Sequence, residues 1–347
     1  MTDPVVVTED LKKHFPLRDD LVSRLLNRGE QKFVKAVDGV SLSIDEGESF
    51  GVAGESGCGK TTLAKTILRL YDPTEGRIYF DGNEITDIGS KELNEFRRNA
   101  QIIHQDPYQS LNPQFKVFQW VKEPLDIHGI GTRRQRAERV YETLEQVGLR
   151  PVDTYAQEYP SELSGGERQR VGIARALVLN PAFVVCDEPV SMLDVSIRAN
   201  IISLLQRLQD EQNLASLYIS HDLSLLKHVC DRIGVMYLGR LVEVGPAKDI
   251  INDPKHPYTK ALVGSTPIID PDIDRDRVRL KGEVPDPIDI PSGCRFAPRC
   301  PEVMDECWNG EPPMFDVGAQ QSARCILYDD DRSTDVLAPE NPGSTRT

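Results

Sequence analysis

The chain has 347 residues, a formal net charge of −14, and 39% hydrophobic and 28% charged residues, which fits a soluble globular protein with one large core and a small appendage, or two domains. No run of eighteen apolar residues occurs, so no spanning helix is expected, and the acidic start Met-Thr-Asp-Pro is unlike a secretory leader; the chain is expected to stay in the cytosol. The acid excess argues against nucleic acid as the main partner, because a phosphate backbone calls for clustered Lys and Arg.

In chain order, Val5-Val6-Val7 opens a first strand and residues 40–44 alternate as a second, with the charged stretch 17–35 between them read as a surface insertion. The apolar run 49–53 is followed by a glycine loop and then by residues 62–71, where Leu63, Ile67 and Leu70 recur at helical spacing. Residues 118–160 are rich in helix formers and charge and read as a helical subdomain. A helix over 167–179 puts Val171, Ala174 and Val178 on one face and stops at Asn180-Pro181. The buried strand 183–186 ends on Asp187-Glu188. Ile197, Ile201, Leu204, Leu205 and Leu208 mark another helix, and the strand 217–219 ends on Ser220-His221-Asp222. This alternation predicts an α/β fold with a mainly parallel sheet wrapped by helices. Beyond about residue 265, prolines 267, 271, 285, 287 and 291 crowd in, periodicity fades, and the polar residues 328–347 read as a disordered tail.

Gly54-Glu55-Ser56-Gly57-Cys58-Gly59-Lys60-Thr61, between a strand and a helix, is a phosphate-binding loop. Its glycines free backbone N–H groups, Lys60 reaches the outer phosphates, and the Thr61 hydroxyl meets Mg²⁺. Leu163-Ser164-Gly165-Gly166-Glu167 enters a helix and is a second anion-binding turn. With one obvious nucleotide site, the second turn is expected to serve a neighbouring molecule. Asp187 at a strand end suits Mg²⁺, and the adjacent Glu188 can deprotonate water. His221 follows an apolar strand at the edge where ligands bind in open sheets, which favours a γ-phosphate contact over a structural histidine. Gln105, before Asp106-Pro107, suits either a metal neighbour or a simple turn.

Four of the seven cysteines, Cys294, Cys300, Cys307 and Cys325, fall in the proline-rich tail. Disulfides are not expected in a reducing cytosol, and C-x-x-C pairs are missing. Four thiolates could tether a metal that staples a small unit; zinc and unligated thiols remain open. Cys58, Cys186 and Cys230 read as small buried residues.

Together these motifs resemble the nucleotide-binding subunit of ATP-binding-cassette transporters over roughly residues 4–260. The resemblance implies a P-loop NTPase cassette with a mixed, mainly parallel sheet, an antiparallel β edge and a helical signature subdomain. It makes Glu188 the general base and gives Gln105 and His221 the γ-phosphate and metal. Thr61, Gln105 and Asp187 would hold Mg²⁺, and the loop through Thr62 would cradle ATP. Ser164, Gly165, Gly166 and Glu167 would close on ATP of the opposite subunit, and Asp194 would couple the two sites. Phe15 is the implied adenine-stacking aromatic, with Phe33 as the fallback.

Gln105-Asp-Pro-Tyr-Gln-Ser-Leu-Asn-Pro113, Met236-Tyr-Leu-Gly239, His256-Pro-Tyr-Thr-Lys-Ala-Leu262 and Gly293-Cys-Arg-Phe-Ala-Pro-Arg-Cys-Pro301 are similar to the ATPases of oligopeptide and dipeptide importers, with nickel and glycoside importers sharing the tail. That resemblance implies a cassette at 1–262 with its helical subdomain at about 106–165, and an extension at 263–327. It also implies a second, related ATPase chain, two membrane permeases, an extracytoplasmic solute-binding protein, peripheral attachment to the cytoplasmic membrane face, and a 4Fe-4S cluster on the four tail cysteines. A soluble cassette working on DNA or ribosomes is disfavoured by the single cassette, the short gap from Gln105 to Leu163 and the acidic charge. A small-molecule kinase has no use for the second turn.

Overall fold

The structure is a computed structural model that describes residues 4–17, 32–105, 112–265, 285, 287–318 and 320–329. Most of the 17–35 insertion, residues 106–111 after Gln105, prolines 267 and 271, and the tail beyond 329 lie outside the described residues.

Two sheets carry the fold. In the first, β1 (Pro4–Pro16) pairs antiparallel with β2 (Phe33–Asp45) and with β4 (Glu75–Phe80), which carries the short β5 (Asn83–Glu84). This is the expected antiparallel edge. The second strand is longer than the alternation at 40–44 suggested, because residues 33–39 are held by their partners on β1.

In the second sheet, β3 (Ser49–Ala53), β6 (Ala100–Ile103), β7 (Phe183–Asp187), β8 (Ala215–Ser220) and β9 (Arg232–Tyr237) run parallel. β3, β7 and β8 are buried along their whole length, as strands covered on both faces must be. The helix after the glycine loop, α1, spans Lys60–Ile67 and stops short of Leu70, which is 45% exposed after the left-handed Arg69 (φ 52°); its helical spacing was coincidental. After α2 (Ser90–Asn99), three helices, α3 (Val117–Ile127), α4 (Arg133–Gln146) and α5 (Val152–Gln157), form the helical subdomain. They pack Trp120, Val121, Leu144 and Ala156 against Val171, Ala174 and Val178 at α6 (Gly165–Leu177). α7 (Val195–Gln212) and α8 (Leu223–Val229) complete the parallel units.

The proline-rich tail is not a separate layer. β10 (Arg240–Pro246) turns back antiparallel on β9, and after α9 (Ala247–Asn252) and α10 (Pro257–Ser265) the chain returns as β11 (Phe315–Gly318) and β12 (Gln321–Ala323). β12 pairs with β10, so the extension lengthens the main sheet, and α10 runs through the boundary expected at 262/263. The fully buried Glu243 of β10 accepts the backbone N–H groups of Lys255 (2.8 Å) and His256 (2.9 Å) and the side-chain amide of Gln321 (2.8 Å). Phe296 packs its ring 5.3 Å from Tyr237, 5.4 Å from Tyr258 and 5.7 Å from His256. These contacts weld the extension to the sheet.

His256 is buried, its Nδ1 accepts the N–H of Tyr258 at 3.0 Å, and burial pushes its pKa down to about 3. Above about pH 6.5 the imidazole is neutral folded or unfolded; below it only the unfolded chain takes the proton, so stability is lost as pH falls towards about 3. Urea unfolding between about pH 6 and 5 should show up to about 1.4 kcal/mol lost per pH unit from this group. His256→Asn should flatten that slope; equal slopes in the two proteins refute it.

Candidate nucleotide site

The parallel register brings the carboxyl ends of β3, β7 and β8 to one edge: Ala53 pairs with Ser220, and Asp187 with Ile219. The glycine loop, the Asp187-Glu188 pair and His221 leave the sheet there. Gly59 takes φ 109°, and a Cβ on it would fall 1.9 Å from the Ala36 carbonyl oxygen, so only glycine fits. Lys60 is buried and curls back over the loop, donating to the carbonyls of Gly54 (2.8 Å) and Glu55 (3.0 Å). Cys58 is buried below it, and that burial pushes its thiol pKa up.

Thr61 Oγ1 donates to Asp187 Oδ1 at 3.1 Å. Burial holds the Asp187 carboxyl above the usual range against the lowering effect of that bond. A hydroxyl and a carboxylate side by side form an oxygen donor set suited to a hard cation.

Glu188 adopts φ 46°, a left-handed conformation rare for a non-glycine residue, and its N–H donates to Ile219 O at 2.9 Å. Its carboxylate is gripped from both sides. His221 Nδ1 lies 2.9 Å from Oε1, and Gln105 Nε2 donates to Oε2 at 3.3 Å.

These groups border a cleft of about 670 Å³ whose lining includes loop residues 56–62, Gln105, Glu188 and His221, together with Phe15, Val34, Leu238 and Pro287. Phe15 is held at the cleft by the pairing of β1 with β2: Leu17 N–H donates to Lys32 O at 3.0 Å, and Phe15 pairs with Val34. Phe33 is exposed and does not line the cleft. Gly54 and Glu55 do not line it either; they act through the carbonyls that hold Lys60. Val34, Leu238 and Pro287 were missed by sequence reasoning, and only the string around Leu238 carried a signal.

The second anion-binding turn and Asp194 are not part of this lining. Ser164 caps α6, accepting the Glu167 N–H at 3.4 Å and donating its hydroxyl to Glu167 Oε2 at 2.7 Å. That carboxylate also accepts the Ser164 N–H (2.8 Å) and Tyr155 Oη (2.6 Å), bonds that hold its pKa below the usual range. Within this chain the Glu167 carboxylate is thus turned onto its own cap. Asp194 begins α7 exposed, with no side-chain capping bond, between exposed Met192 and Val195.

Cys294, Cys300, Cys307 and Cys325 line one small pocket beside Phe296. Burial pushes the thiols of Cys300 and Cys325 up to about 11 and about 12. Among the described residues, no group of three or more His, Cys, Asp or Glu is disposed to hold a metal ion. The metal expected on the tail thus finds convergent thiols but no ready ligand set for a single ion.

A family model described as ABC transporter matches residues 37–191, and one described as Oligopeptide/dipeptide transporter, C-terminal region, matches residues 242–307. The chain is 45% identical over 329 residues to the oligopeptide transport ATP-binding protein AppF of Bacillus subtilis (strain 168), covering 94% of this chain and 98% of that one. It is similar to the dimeric ATP-binding cassette MJ0796 in a post-hydrolysis state bound to ADP and Pi, with a TM-score of 0.60 and 28% identity over 70% of this chain and 98% of that one. It is also similar to cbiO1 from Clostridium perfringens, part of the ABC transporter complex cbiONQ, with a TM-score of 0.60 and 26% identity over 72% of this chain and 92% of that one.

Ser164→Ala should cost about 1 kcal/mol in urea unfolding, because the capping bond to Glu167 N–H and the hydroxyl bond to its carboxylate are both lost. An unchanged midpoint refutes the capping role.

Proposed function

This chain belongs to the ABC transporter family, and we propose that it is the ATP-hydrolysing subunit of an importer whose cargo is oligopeptides or dipeptides. The observation that carries the catalytic reading is Glu188, held between Gln105 and His221 at the mouth of the cleft that the phosphate loop lines. The C-terminal match and the name of the relative AppF support the cargo.

In this reading Phe15 meets the adenine, and Lys60 exchanges its two loop carbonyls for phosphate oxygens. Thr61, Asp187 and Gln105 would hold Mg²⁺, which when bound neutralises developing charge on the outer phosphates. Glu188 takes the proton of the attacking water. Its present partners, Gln105 and His221, are the two groups assigned to the γ-phosphate and metal, so an arriving triphosphate competes for them and frees the carboxylate.

The signature turn, standing outside this chain's own cleft, is assigned to the cleft of a second ATPase subunit, a related but different chain arranged head to tail, with Asp194 coupling the two sites. The dimeric state of the cassette MJ0796 supports that arrangement. Two membrane permeases and an extracytoplasmic binding protein complete the assembly. The helical subdomain, about 106–165, docks on the permeases at the cytoplasmic membrane face. Attachment to the membrane is assigned as peripheral; no helix among the described residues is long and apolar enough to cross a membrane. The cassette is assigned to 1–262 and the extension to 263–327.

For the tail we infer a 4Fe-4S cluster on Cys294, Cys300, Cys307 and Cys325. Its support is the convergence of four thiols on one pocket, four cysteine thiolates being the ligand set of such a cluster.

Glu188→Gln should bind ATP as the wild type does, lose about 10²–10⁴-fold in turnover, and accumulate as a closed dimer on size exclusion; retained hydrolysis would remove Glu188 from its role. Anaerobically purified protein should be brown and contain iron, and Cys300→Ser should bleach it. A colourless, iron-free wild type ends the cluster assignment.

A further inference from the structure

Glu55 opens the variable part of the phosphate loop, and its carboxylate does not face the cleft. Arg299 takes it in a fork: Nη1 donates to Oε2 at 2.7 Å and Nη2 to Oε1 at 3.1 Å. The arginine belongs to the extension, on the short turn Ala297–Arg299 between Cys294 and Cys300, and is 6% exposed. Glu55 is fixed at two further points, its N–H donating to Tyr258 Oη at 2.9 Å and its carbonyl accepting from Lys60 at 3.0 Å.

A second arginine of the same segment, Arg295, donates to the Asp38 carboxylate and to the Leu238 carbonyl. Leu238 lines the cleft, and the neighbouring Gly239 N–H donates to Cys58 O at 2.9 Å. The extension therefore holds the phosphate loop directly through Glu55 and indirectly through the 238–239 turn.

A carboxylate in a loop that must accept a polyanion opposes its own ligand. A bidentate guanidinium removes that opposition and fixes the direction in which the carboxylate points. We propose that Arg299 is a positioning residue of the nucleotide site: the C-terminal extension, through Arg299, neutralises Glu55, turns its carboxylate away from the phosphates, and holds the loop ready for ATP. The inference rests on the nucleotide reading of the cleft. It assigns the extension a part in ATP affinity whatever its cysteines hold.

The test uses the full chain and measures equilibrium ATP affinity and steady-state hydrolysis for wild type, Arg299→Met, Glu55→Gln and the double variant. Arg299→Met should weaken ATP binding and raise KM about tenfold, with kcat at saturation changed less than about twofold; couplings of this size are ordinary for a buried charge pair. Adding Glu55→Gln should bring affinity back to within about threefold of wild type, because the unpaired carboxylate is gone. A role confined to packing the extension predicts no such rescue. Where Arg299→Met does not fold, Arg299→Gln, which also removes the charge, carries the same two expectations. A folded Arg299 variant with affinity within about twofold of wild type, or a double variant no better than the single, overturns the proposal. Wild type that binds no ATP would instead overturn the nucleotide reading itself.

Discussion

Three buried strands, β3, β8 and β7, pair in parallel, and the placing of the phosphate loop, Asp187, Glu188 and His221 follows from that pairing. A parallel ladder has all its carboxyl ends on one edge, so the backbone that must leave β3 as a glycine loop leaves beside the ends of β7 and β8. Asp187 thereby stands against Thr61, and Glu188 comes within reach of His221, although these residues are far apart in the chain. Burial along the whole length of these strands makes the register hard to shift, since a slip would expose apolar side chains. The left-handed backbone at Glu188 is tolerated because its N–H is already tied to Ile219 on the neighbouring strand.

In the state described here the anion site is satisfied internally. Lys60 bonds to loop carbonyls, and Glu188 occupies Gln105 and His221. Leaving a buried ammonium without partners would cost several kcal/mol, and the two loop carbonyls meet that need at Lys60. Nucleotide binding then becomes an exchange of partners within a fixed frame.

The extension takes its place by ordinary packing. Phe296 is buried among Tyr237, Tyr258 and His256, and burying such a ring contributes about 2 kcal/mol. β12 adds backbone bonds to β10, and Glu243 ties both to the start of α10. Arg295 and Arg299 ride on that frame into contact with Leu238, which lines the cleft, and with Glu55 of the phosphate loop. A segment whose composition reads as loop is structural here because its few apolar and charged side chains meet partners supplied by the sheet.

The local chemistry was legible in the chain: a loop of G-x-x-x-x-G-K-T between a strand and a helix, paired acids after an apolar run, a Ser-Gly-Gly turn entering a helix, and the helical subdomain. Each is set by residues near one another in sequence, where spacing and capping preferences act directly. What the sequence left undecided was everything that depends on distant partners. Phe15 rather than Phe33 lines the cleft because of its place on β1, opposite Val34 of β2. Glu167 serves its own cap because Tyr155 meets it from another helix. Glu55 faces away from the cleft because Arg299 arrives from the other end of the chain. Local order is written in neighbouring residues, whereas the direction a charged side chain takes is settled by whichever opposite charge the tertiary fold brings beside it.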